Sequence, residues 1–166
     1  MRKNQTLQIF RYILILAFFN QCQQIPKTQL AKRWNEERAW AWQKQHGWLV
    51  GTNFNPSSAI NQLEFWQEDT FDPQTIDREL EWSAELGMNL HRVYLHNLLW
   101  EQDSLGFLKR LDTYLDMSYN KGIKTLFVLL DDVWHPVPKL GKQPEPIPFV
   151  HNSGWVQAPG AAILGD

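Results

Sequence analysis

The stretch Asp72–His96, DPQTIDRELEWSAELGMNLHRVYLH, decides how the rest of the chain is read. Asp72 is placed to cap a helix whose first residue is Pro73, a ring already fixed at helical φ, and Gly87 supplies its stop. Ile76, Leu80 and Ala84 recur every four residues and give that helix one buried stripe. Met88–His96 then changes period. Arg92, Tyr94 and His96 fall on one face of a strand, and Val93 and Leu95 on the other.

Working outward, Trp48–Phe54 (WLVGTNF) reads as a buried strand, preceded by a helix over Asn35–Gln45 with Asn35 as N-cap and Gly47 as stop. Between them and Asp72 lies a loop, Asn55–Phe71, of roughly seventeen residues, long enough to suggest a functional loop. Downstream, a helix is expected from Leu105 to Lys121, with Leu108, Leu111, Leu115 and Ser118 on one face and Gly122 as its stop. Lys124–Asp131 (KTLFVLLD) is almost continuously apolar, as expected of a strand covered on both faces. Pro136, Pro138, Pro144, Pro146 and Pro148 exclude regular structure from the segment that follows.

The order strand, helix, strand, helix, strand defines an α/β class with parallel strands joined by right-handed crossovers. Two architectures compete, an open doubly wound sheet and part of a (β/α)8 barrel. A glycine-rich phosphate loop would favour the open sheet, and the first strand runs instead into Gly51, Thr52, Asn53, Phe54, Asn55 and Pro56. The expectation is therefore a partial TIM (β/α)8 barrel, its first three strands with two intervening helices. A closed barrel takes about 250 residues. With 166 residues and no return helix after the third strand, the chain is expected to be an amino-terminal part, with residues 35–166 as the truncated barrel domain.

Composition narrows the partners. A net charge of −2 and a pI near 6.2 lack the basic excess that a phosphate backbone demands, so nucleic acid is excluded. Nine Trp, nine Phe and four Tyr exceed what a core of this size needs, which points some rings at a ligand. Arg2, Lys3 and Arg11 precede or flank a short apolar run, Tyr12–Phe19, so residues 1–22 read as an export signal, followed by a linker over 23–34. The run is too short for a spanning helix. Cys22, the single cysteine, stands where a bacterial lipoprotein signal carries its lipidated residue, although Gln21 replaces the usual small residue before it; the other reading is an incidental cysteine in a discarded peptide. The expected location is outside the cytoplasm: periplasmic, cell-surface lipoprotein or secreted. One cysteine permits no disulfide framework.

In α/β proteins ligands bind at the carboxyl ends of the parallel strands. Those ends carry Asn53; Arg92, His96, Asn97 and Trp100; and Asp132, Trp134 and His135. Alternation puts Arg92, Tyr94 and His96 inside the barrel, where a guanidinium requires an acidic partner. Asp131 and Asp132 are adjacent and point to opposite faces, so they are not a pair of glycosidase carboxylates, which in retaining enzymes stand about 5 Å apart; Asp132, nearer the strand end, is the one assigned to the ligand. Trp66, Trp100, Trp134 and Trp155 fall in loops and offer flat faces on which sugar rings stack. The run His151–Gln157 (HNSGWVQ) adds neutral donors and acceptors. The spacing of His91, His96, His135 and His151 matches no standard zinc pattern, and no metal or cofactor is implied.

Several of these segments, in order, resemble a known family: WLVGTNFNP (48–56), AINQLEFW (59–66), TFDPQTIDREL (70–80), HRVYLHNLLWEQD (91–103), LLDDVWHPVPKLGKQPEP (129–146) and HNSGWVQAPG (151–160) are similar to the amino-terminal third of bacterial cellulase-like glycoside hydrolases of clan A. The resemblance implies a (β/α)8 barrel that hydrolyses β-linked glycosides with retention through two glutamates, one after the fourth strand in an Asn-Glu context and one after the seventh. Neither falls within these residues, so the chain is expected to be inactive by itself. The resemblance also implies that Arg92 supports the nucleophile and that the ends of the first three strands line sugar subsites. Two rivals stand beside it, a noncatalytic carbohydrate-binding module and an unrelated open-sheet α/β enzyme.

Overall fold

The computed structural model describes residues 33–165. The signal, Cys22 and most of the linker lie outside the described residues. The described residues divide into two units, 33–45 and 46–165. In the first, α1 (Glu36–His46) begins where expected: the Asn35 side chain accepts from the Arg38 N–H at 3.0 Å, and Arg38 lies 4.4 Å from the Trp34 ring centre.

The second unit is mixed α/β. Its elements are β1 (Gly51–Asn53), α2 (Gln62–Trp66), α3 (Pro73–Glu85), β2 (Leu90–Tyr94), α4 (Asn97–Asn120), β3 (Lys124–Val128) and α5 (Ala161–Leu164). The three strands form one parallel sheet in the order β1-β2-β3, with Asn53, Arg92 and Leu126 in register. Sequential order with a helix in each crossover is the α/β arrangement expected of the sequence.

α3 is built as its sequence dictates. The Asp72 carboxylate accepts from the Thr75 N–H at 3.0 Å, Pro73 opens the first turn, and Gly87 takes φ +83° after it. Ile76 and Leu80 are fully buried and Ala84 packs beside them. α4 differs from expectation. It starts at Asn97, because His96 rather than a Ser, Thr, Asp or Asn caps it: Nδ1 accepts from the Leu98 N–H at 3.2 Å. Asp103 (φ −156°, ψ 75°) breaks it, and Asp103 Oδ1 recaps the second segment through the Gly106 N–H at 2.9 Å. That kink sets the face that is buried, which is Phe107, Tyr114 and Ser118 with Leu111 beside them; Leu108 and Leu115 are exposed.

One sheet face is covered and the other open. His91, Val93, Thr52, Thr125 and Phe127 share the side packed by Phe54, Tyr114 and the helices. Asn53, Arg92 and Leu126 share the other and are exposed. The expectation that β3 is covered on both faces is thus corrected: Leu126, Leu129 and Leu130 are each more than half exposed. β1 is likewise an edge strand of three exposed residues rather than a buried one over 48–54, and Trp48 is 84% exposed. Its approach to β2 is close enough that a Cβ at Gly51 would collide with the Leu90 carbonyl.

The loop Asn55–Phe71 is not a surface loop. It holds α2, and every residue from Asn61 to Gln67 is buried. Phe65 and Trp66 stack at 4.1 Å, nearly parallel, and Tyr114 meets the Trp66 ring edge-on at 5.5 Å. Trp66 is therefore core and not a ligand platform.

Candidate functional site

The irregular segment after β3 turns back to the strand ends and is fastened there. Asp131 and Ala158 exchange backbone hydrogen bonds at 2.6 and 2.7 Å, and His135 pairs with Val156. Side chains of α2 and of its caps, Asn61 and Gln67, hold the rest. Asn61 Nδ2 donates to Gln143 Oε1 (2.9 Å) and to the Gly154 carbonyl (2.7 Å), and Gln62 Nε2 donates to the Val156 carbonyl (2.7 Å). Gln67 both donates to the Gly141 carbonyl (3.1 Å) and accepts from its N–H (2.6 Å). Glu64 accepts from the N–H groups of Ile60 and Gln143. A buried amide is costly unless its donors and acceptors are matched; here the donors are matched by distant backbone and by Gln143, while Gln62 Oε1 has no partner among the described residues.

The result is a row of aromatic side chains past the carboxyl ends of β2 and β3. Tyr94 meets Trp155 edge-on at 4.9 Å; Trp155 lies 6.4 Å from Trp134; Trp134 lies 5.7 Å from the His151 ring. Trp134, Phe149 and Asn152 all take positive φ (67°, 65° and 50°), a conformation that costs a non-glycine residue energy and that clusters at functional sites. Trp134 is further anchored by its indole N–H, which donates to Asp131 Oδ2 at 3.2 Å.

Arg92 begins this row. Its guanidinium carbon stands 4.7 Å from the Tyr94 ring centre, and Nη1 donates to the Tyr94 hydroxyl. The expected acidic partner is not present: among the described residues the ion pairs lie elsewhere, at Arg78, Arg110 and Lys121. Arg92 needs none, because it is exposed on the open sheet face and stays hydrated.

The other named residues are placed as follows. Asn53 is exposed on the same open face as Arg92. His96 is buried with both ring nitrogens engaged, Nδ1 by Leu98 and Nε2 by the Gln157 carbonyl at 2.8 Å, which fixes the neutral Nε2–H tautomer. Burial holds its pKa below the usual histidine range against the opposing pull of the Gln157 bond and Glu101. His96 thus serves the backbone. Asn97 is half-buried and donates to Glu101 at 2.8 Å. Trp100 is 55% exposed, on the first segment of α4 rather than in a loop. Asp132 is exposed, and Asp131 is spent on Trp134 and on the Ala158 bridge. His135 is exposed, its Nδ1 accepting from the Val137 N–H at 3.3 Å. In the HNSGWVQ run, Ser153 bonds Ile147 and Gln157 is buried, so much of its polarity is used internally.

Of the residues expected from the sequence, Trp134 and Trp155 lie near each other and Arg92 reaches the row through Tyr94; Asn61, Gln62, Gln67 and Gln143, which hold the returning segment, were not foreseen. A polar cluster in a long loop before a helix was the available signal. Among the described residues, no group of three or more His, Cys, Asp or Glu is placed to hold a metal ion, and no helix is long and apolar enough to cross a membrane. Comparison with protein-family models, with curated proteins and with solved structures found no match to this chain.

Proposed function

We propose that this chain is the sugar-binding amino-terminal part of an exported (β/α)8 glycoside hydrolase acting on β-linked glycans with retention. One observation carries the reading. The row Tyr94, Trp155, Trp134 and His151, led by Arg92, lies at the carboxyl ends of parallel strands, where this class of fold binds ligands. Indole rings suit the flat C–H faces of pyranose rings. The three-stranded parallel sheet in sequential order is compatible with a barrel sector, and the open face bearing Arg92 would be its lumen. The two catalytic glutamates would stand on other strands, with Arg92 directed at one of them.

The test is a titration of the full chain with a β-1,4-linked glucose tetramer, followed by tryptophan fluorescence. The expected result is saturable quenching, weakened about two- to tenfold by Trp134→Ala through loss of one stacking surface. No saturable signal, or one untouched by replacing Trp134 and Trp155, overturns the reading.

A further inference from the structure

Alongside Trp155 the aromatic row borders a cleft whose edge carries Lys139, Lys142 and His135, and no carboxylate lines it. Neither lysine makes an ion pair with another described residue. Two like charges three residues apart on one short turn repel each other, and among the described residues no ion pair offsets this.

The turn that bears them is nonetheless held still. Gly141, between the lysines, is gripped from both sides by the buried Gln67 amide, and Gln143 Nε2 ties the Lys139 carbonyl (2.9 Å) and the Gly141 carbonyl (2.7 Å). The Gln143 N–H is in turn received by Glu64 at 3.2 Å. A mobile lysine pair on a solvated loop would be an ordinary surface feature. This pair is fixed at its backbone by buried side chains and faces a cleft walled by an indole.

We propose that this cleft selects an acidic sugar unit, with a uronate carboxylate received between Lys139 and Lys142 while its ring lies against Trp155. The inference rests on the glycan-binding reading and narrows it to anionic β-linked glycans. Ring stacking supplies contact with any pyranose, and the lysines add a term only a charged sugar can use.

Two tetramers that differ in one group separate these contributions: β-1,4-linked glucose and β-1,4-linked glucuronic acid, each titrated into the full chain. At about 0.01 M salt the uronate should bind about three- to tenfold tighter. The gap should close near 1 M salt, where the screening length falls from ~30 Å to ~3 Å. Lys139→Gln with Lys142→Gln should remove the preference while leaving the glucose tetramer's affinity unchanged, since neither side chain supports the fold. Equal affinities at low salt, or a preference that survives the double substitution, overturns the inference and leaves the glycan reading standing. Failure of both tetramers to bind overturns both.

Discussion

The indole N–H of Trp66 donates to the main-chain carbonyl of Tyr94 at 2.9 Å, joining the buried helix of the first loop to the strand residue that carries the aromatic row. Trp66 is fully buried against Phe65, Phe71, Phe107 and Tyr114. Trp66→Ala is therefore expected to destabilise the fold by about 3–5 kcal/mol, the usual cost of emptying a large aromatic site. Trp134→Ala, at a half-buried position, should cost about 1 kcal/mol or less. Urea unfolding of the two variants checks the contrast, and comparable losses would mean that Trp134 too is a core residue.

Gln67 is the second fastening to test. Gln67→Met keeps volume and removes both hydrogen bonds to Gly141; the carbonyl retains Gln143, but the N–H loses its partner. A loss of about 1–3 kcal/mol is expected. Amide exchange should locate the effect, with the Gly141 proton exchanging markedly faster while those of β2 change only in step with global stability.

Acid should weaken this fold before its carboxylates titrate. Burial holds both His91 and His96 below the ordinary histidine pKa, opposed in each case by a backbone carbonyl, Thr52 for His91 and Gln157 for His96. In the unfolded chain both titrate near 6.5. Between that value and the lower native ones the unfolded chain binds more protons, so the stabilisation is complete above about pH 6.5 and is lost as pH falls below it. Asp72 and Asp103, also held low by hydrogen bonds to Thr75 and Gly106, extend the decline below their unfolded value of 3.8. Urea midpoints measured from pH 7.5 to 5 should fall. A flat profile would show that the two imidazoles accept protons in the folded state.

Arg92 separates support of chemistry from support of structure. Being exposed, with Tyr94 as its partner, Arg92→Ala should change stability by only about 0.5 kcal/mol. If the chain belongs to the hydrolase proposed above, the same change is expected in that enzyme to reduce kcat far more than it raises KM, because a guanidinium beside a nucleophilic carboxylate lowers its pKa and orients it. Lys at this position keeps the charge without the planar fork and should recover only a small part of the loss. Turnover within a few fold of the parent enzyme would assign Arg92 a packing role on Tyr94.

What could be read from the residues alone divides by range. The punctuation of α3 was legible because Asp72, Pro73 and Gly87 act within one or two turns of their own positions. The capping of α4 by His96 was not, since histidine is an uncommon cap, and the break at Asp103 then turned Phe107 and Tyr114 inward and left Leu108 and Leu115 exposed. α2 was the least legible element. Its polar residues look like surface, and their burial makes sense only once their partners, as far away as Val156, are known. At the site, the strand-end position of Trp134 followed from the α/β rule, while Trp155 was read only as a loop tryptophan. The companion of Arg92 did not, because the open sheet face keeps it in water and removes the need for a counter-charge.

The fastenings between α2 and the returning segment also set an order of assembly. Gln67 with Gly141, Asn61 with Gly154 and Gln62 with Val156 are separated by 74, 93 and 94 positions along the chain. Contacts of such span close large loops whose entropy must be met before any bond repays it, and they form late. Helices α3 and α4 and the pairing of β2 with β3 connect nearer neighbours and can precede them. During refolding the aromatic row should therefore be the last part to appear, with secondary structure in place while Trp134 and Trp155 are still apart.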